Sequence, residues 1–128
     1  MPDPAFIIRL KRIYDPPGEE DGARVLVDRL WPRGVRKEAA GLTLWLKDIA
    51  PSSELREWFG HDQTRFAEFS RRYRAELALN QEAVGRIEDF LKLGPLTLLY
   101  AARDPAHNHA QVLREYLLDK LRGFQRLR

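Results

Sequence analysis

The stretch Ala101-Ala-Arg-Asp-Pro-Ala-His-Asn-His109 holds two of the chain's three histidines beside an arginine, an aspartate and an asparagine. It follows Leu96 to Ala102, the longest apolar run in the chain. A continuous apolar run of strand length suits a central strand covered on both faces. In open α/β sheets, ligands sit outside the carboxyl ends of such strands. A helix starting there points unpaired N–H groups outward and attracts anions. A histidine beside that positive end favours its neutral form, which suits a general base or a metal ligand. Asp104 and Asn108 can orient the imidazole. They can equally be helix caps, Asp104 ahead of Pro105 or Asn108 with Gln111, which leaves the histidines as surface residues of a first turn.

A second stretch, Asp28-Arg-Leu-Trp-Pro-Arg-Gly34, also follows strand-like residues. Arginine forks hold phosphate or carboxylate through paired hydrogen bonds and stack on aromatic rings. Arg29, Arg33 and Arg103 are therefore the expected anion-binding set. The plainer account is a surface network between Arg29 and Asp28, and Trp31 is read as a core plug rather than a ligand platform. In the third stretch, Phe59-Gly-His-Asp62, capping by Asp62 is favoured over orientation of His61. A metal held by His61, His107 and His109 needs distant loops to meet at about 2.0–2.1 Å zinc–nitrogen distances, and no metal site is assigned.

Several chemistries lack their residues. The chain has no cysteine, which excludes thiol catalysis, Cys-ligated zinc and iron–sulfur clusters. There is no Gly-x-Ser-x-Gly elbow, Walker loop, Gly-x-Gly-x-x-Gly or His-Glu-x-x-His helix. The consecutive letters His-Asn-His are not an HNH nuclease motif, whose residues are spread over two strands and a helix.

The elements that must position these residues follow from periodicity. Residues 6–14 and 24–30 read as strands, separated by a Pro- and Gly-rich loop over 15–22. The short connection favours an antiparallel relation, because parallel crossovers usually need a dozen or more residues. Residues 35–51 look irregular, anchored by Leu42, Leu44, Trp45, Leu46 and Ile49. Helices then start at Ser52 or Ser53, at Asp62 and at Asn80, with stops at Gly60 and at Gly94-Pro95. Trp45 and Trp58 are expected in the core. A strand over 96–102 and a helix running to about Arg122 complete a single α/β domain over 1–128. Its small sheet is mostly parallel or mixed, with helices packed on both faces.

Composition agrees with one folded domain. Of 128 residues, 44% are hydrophobic and 32% charged, so disorder is not expected. No run approaches the ~20 apolar residues that span a bilayer, and the N-terminus does not read as a signal peptide. The absence of cysteine adds to the expectation of a soluble, cytoplasmic protein that does not engage membranes. Net charge is 22 − 19 = +3. The basic residues cluster over 29–37 and at Lys120, Arg122, Arg126 and Arg128, which keeps nucleic acid as a second class of partner.

Together these residues carry a resemblance. Leu26-Val-Asp-Arg-Leu-Trp-Pro-Arg-Gly34 with Lys37, then Trp45, Lys47 and Ala50-Pro-Ser52, resembles the DUF488 family, YeaO-like branch. Leu55-Arg56, Trp58-Phe59, His61-Asp62, Phe69, Tyr73 and Glu76-Leu77 match as well. So do Thr97 to Asp104 and Asn108-His-Ala110. The resemblance spans nearly the whole chain and implies a soluble α/β protein of a family named for unknown function. Lys47 is counted in the expected ligand-binding set beside Arg29, Arg33 and Arg103. A broader branch carries Cys-His-Arg where this chain has Asn108, His109 and Ala110. Only the histidine matches, so a thiol mechanism is closed to this chain and His109 is preferred over His107.

The expectation is a domain that binds a small anionic, phosphate- or nucleotide-like ligand at the strand ends. If it is an enzyme, His109 is the general base or acid, with Asp104 or Asn108 orienting it. The alternatives are a nucleic-acid-binding module using residues 29–37 and the basic tail, or a non-catalytic interaction domain docking through its Trp-Pro-Arg-Gly loop. No cofactor and no oligomeric state are assigned.

Overall fold

Alternation along the strands decides the layering, since successive side chains of a strand point to opposite faces. The computed structural model describes residues 6–126. Strands β1 (Ile8–Arg12), β2 (Ala23–Leu26), β3 (Leu44–Trp45) and β4 (Leu96–Tyr100) form one sheet in the order β1-β4-β2-β3. Every pairing is parallel: Ile8 to Arg12 lie opposite Leu96 to Tyr100, and Ala23 to Leu26 opposite Leu96 to Leu99. The apolar run is thus the second strand of four, and all five of its residues are buried.

Leu96, Leu98 and Tyr100 share one face with Ile8, Val25 and Val27. Four helices cover that face: α2 (Ser53–Phe59), α3 (Phe66–Ala78), α4 (Gln81–Leu93) and α5 (His109–Arg126). Their inner residues recur at helical spacing, Phe69, Tyr73 and Leu77 on α3 and Val84, Ile87 and Leu91 on α4. On the other face Leu26 and Leu99 meet Ile13, Ala40, Trp31, Val35 and Leu42. A single helical turn, α1 (Lys37–Ala40), and the loops around it cover this side.

The antiparallel expectation for the first two strands fails. Both run parallel to β4, which lies between them. The ten residues 13–22 reach about 33 Å when extended, enough to retrace a five-residue strand of about 17 Å without a crossover helix. The return is pinned by Asp21, whose buried carboxylate meets Lys11 and Arg24 and whose carbonyl accepts the Thr97 hydroxyl. Gly22 then turns at φ 64°, with Pro95 O only 2.2 Å from where a Cβ would stand; no other residue fits that approach.

The segment 35–51 is less irregular than expected, because Leu44 and Trp45 pair with Val25 and Leu26. The helix signals hold. Ser52 Oγ accepts from Leu55 N, and α2 ends on Gly60 in the left-handed region. Asp62 caps a 3₁₀ turn, Gln63–Arg65, that runs straight into α3. Asn80 precedes α4 but donates its side chain to Asp48 O instead of capping.

Candidate functional site

In a parallel sheet the carboxyl ends of all strands lie along one edge. Beyond Leu26 the chain makes one more ladder bond, Val27 N to Leu99 O. Asp28 then reaches across with its carboxylate and accepts from Ala101 N at 3.0 Å, tying together the ends of the two central strands. Its second oxygen lies 2.9 Å from His109 Nε2, which also sits 3.1 Å from Val27 O. A carbonyl oxygen can only accept, so Nε2 carries the hydrogen and directs it at Val27. Asp28 Oδ1 is left buried, beside the imidazole, with no directed hydrogen bond.

Asp28, not Asp104, is therefore the carboxylate that meets His109. The Asp28–Arg29 network expected from adjacency is not formed either. Arg29 turns its guanidinium to the carbonyls of Ala50 and Pro51. Asp104 folds back on its own loop, accepting from Ala106 N at 2.9 Å, from His107 N at 3.1 Å and from Gln63 Nε2 at 2.8 Å, and pairing with His107 Nδ1 at 2.9 Å. These donors, Ala106 N–H foremost, hold its carboxyl down to about 2 against the opposing effect of burial. Asn108 is the cap of α5: Oδ1 accepts from Gln111 N, and Nδ2 donates to Asp104 O. It orients the helix rather than the imidazole.

The surrounding loops are pinned from below. Tyr73 is fully buried, burial pushes its phenol pKa up, and its hydroxyl donates to Ile49 O at 2.6 Å. Glu76 accepts from both Ser52 N and Ser52 Oγ. Arg12 donates to the carbonyls of Ala101 and Ala102.

These loops surround a cavity of about 590 Å³, within the size range of small-molecule sites. Among the expected residues Arg29, Arg103, Asp104, Asn108 and His109 line it. Arg33 and Lys47 do not: both are exposed, Arg33 in its turn and Lys47 over the Trp45 ring at 5.4 Å. Three polar lining residues are absent from the site expected from the sequence: Asp28, Arg56 and His61. For Asp28 and His61 a signal existed, since each stands directly after an element end in a stretch already singled out. Arg56 had none, being one arginine within a short helix.

Charge is distributed unevenly around the cavity. Both lining carboxylates, Asp28 and Asp104, are engaged within the protein. Among the described residues, Arg56 and Arg103 make no ion pair and no guanidinium hydrogen bond, while Arg29 is committed to two carbonyls. His61 is exposed and adopts φ 59°, the only non-glycine positive φ among the described residues. No three His, Asp or Glu side chains among the described residues gather where a metal could bind, and His61, His107 and His109 form no such group.

The basic tail is mostly occupied where it is described. Lys120 meets Glu88 and Gln81, and Arg122 lies 4.0 Å from Asp119. Arg128 and the side chain of Arg126 lie outside the described residues. No described helix is long and apolar enough to cross a membrane.

The fold and site define a small parallel α/β domain with a cavity at the ends of its central strands. The chain belongs to the DUF488 family: residues 7–126 match the model described as "Inactive DUF488-N3 subclade". It is similar to the uncharacterized protein YeaO of Escherichia coli K12, 47% identical over 110 residues that cover 86% of this chain and 96% of the relative. It is also similar to the uncharacterized protein Rv3073c of Mycobacterium tuberculosis H37Rv, 42% identical over 110 residues covering 86% and 92%. No solved structure matches the chain.

Proposed function

We propose that the strand-end cavity binds a small anionic ligand, phosphate- or nucleotide-like, in a cytoplasmic protein. The observation that carries this reading is the pair of uncommitted guanidiniums, Arg56 and Arg103, on a cavity where neither Asp28 nor Asp104 pairs with them: Asp104 is held by its own loop, and Asp28 faces Ala101 N and the His109 imidazole. Arginine forks recognise phosphate and carboxylate by paired, charge-assisted hydrogen bonds. The first turn of α5 adds the positive end of a helix dipole at the same edge.

Binding rather than turnover is favoured by the family description and by the missing thiol. His109 then serves as a latch, holding the start of α5 to the end of β2 through Val27 and Asp28. A second reading, proton transfer by His109, draws on the 2.9 Å contact with Asp28 and would use the opposite nitrogen, Nδ1. Nucleic-acid binding draws on the exposed Arg33, Arg36 and Lys37, but the engaged Arg29, Lys120 and Arg122 count against it.

Calorimetry with inorganic phosphate tests the reading. Arg103→Ala and Arg56→Ala should each weaken binding about tenfold or more, the loss of a charged hydrogen bond. Both positions are exposed, so folding should survive. Affinity unchanged in the double variant would overturn the reading. Oligonucleotide binding that falls with salt at a slope of about −0.9 per phosphate contacted would favour the nucleic-acid alternative.

A further inference from the structure

The cavity, at about 590 Å³, is larger than a bare inorganic anion fills, and much of its lining is apolar. Its arginines account for only part of the lining. Phe59 and Phe69, core residues stacked with centroids 4.3 Å apart, reach the cavity wall with the little of their rings that the core leaves uncovered. Pro51 and Leu30 add aliphatic surface. Leu30 is 61% exposed, an apolar side chain left in water at the cavity. Sites for organic ligands combine such apolar walls with a few charged groups that fix orientation.

Resting on the anion-binding reading above, we infer that the occupant is an organic anion with a flat, apolar body, of the aromatic phosphomonoester class. Its charged end meets Arg56 and Arg103, and its ring packs on the apolar part of the lining, to which Leu30, Pro51, Phe59 and Phe69 contribute. Offset or edge contacts between rings favour an aromatic body over an aliphatic one. Asp104 is held by its own loop, and Asp28 is turned to Ala101 N and the His109 imidazole, so neither carboxylate pairs with the two arginines.

Phenyl phosphate, methyl phosphate and inorganic phosphate, each titrated calorimetrically into the full chain, separate the possibilities. Phenyl phosphate should bind at least about tenfold more tightly than inorganic phosphate, with methyl phosphate close to the latter, as burial of one ring's apolar area implies. Leu30→Asn should reduce the advantage of phenyl phosphate over inorganic phosphate; the side chain's exposure makes misfolding no obstacle. Equal affinities for all three would overturn the inference while leaving the anion site standing. No binding of any of the three would overturn both.

Discussion

At the scale of single residues, the site is made by side chains whose polar atoms are committed in unequal degree. Asp28, Asp104, Asn108 and Arg29 spend theirs on strand ends and loops. Arg56, Arg103 and His61 do not, and they face a ligand-sized cavity. His61 also sits in left-handed backbone at φ 59°, which costs a non-glycine residue roughly 1–2 kcal/mol. His61→Gly should relieve that strain while adding chain entropy to the unfolded state, leaving stability within about 1 kcal/mol of the parent. Phosphate affinity should fall several-fold in the same variant. Parental affinity in calorimetry would remove His61 from the site.

Trp58 shows how far residue-level reading reaches. Its neighbours in sequence suggest the core, and it does pack against the core, but only partly buried, with the guanidiniums of Arg72 and Arg65 over its ring at 4.3 and 5.3 Å. Trp58→Ala should therefore cost about 1–2 kcal/mol in denaturant unfolding, below the ~3–5 kcal/mol of a fully buried aromatic. A loss above about 3 kcal/mol would show that packing, not the cation stack, dominates. The Asp28–His109 contact could not be read from the chain, since 80 positions separate its partners and the pairing depends on β2 and β4 being neighbours. Asp104 looked like the orienting group because it was near in sequence. Local Asx-type bonds to Ala106 and His107 captured it instead.

At the scale of elements, the site depends on where α5 begins. Two caps competed in the sequence, and Asn108 is the one that accepts from Gln111 N. It is also buried and donates to Asp104 O, so it sets both the helix start and the loop before it. Asn108→Ala should cost about 1–2 kcal/mol of stability and weaken phosphate binding through displacement of Arg103 and His109. Asn108→Asp keeps the accepting oxygen and should recover most of the helix cap. An alanine variant with parental stability would mean that the loop is held without the cap. Helix starts and stops were legible because caps and glycines act locally. The pairing of β3 was not, because two residues carry too little pattern to read as a strand.

At the scale of the whole molecule, the parallel arrangement brings every strand's carboxyl end to the same edge, and the loops that follow form the cavity there. The α/β class and the buried strand were legible from apolar patterning. The strand order was not. The short first connection pointed to an antiparallel pair, and only the anchoring of Asp21 by Lys11, Arg24 and Thr97 explains the tight parallel return. That anchor predicts an acid response. The Gly18 N–H, Lys11 and Arg24 together lower the Asp21 pKa from 3.8 to about 2. A depressed native pKa stabilises the fold above the unfolded value, and the contribution is lost as pH falls from about 4 toward about 2. Asp21→Asn should be less stable at neutral pH and lose less on acidification over this window. Parallel wild-type and variant curves in acid unfolding would show that the anchor is not electrostatic.

The measurement that bears most directly on the strand-end site is an amide chemical-shift titration of the full chain with inorganic phosphate. Residues 28–30, 50–52, 60–62 and 101–110 should respond together and saturably, and the Arg56→Ala, Arg103→Ala double variant should abolish the response with its spectrum otherwise preserved. Shifts confined to residues 33–37 and the tail beyond Lys120, or no shifts at millimolar phosphate, would contradict it.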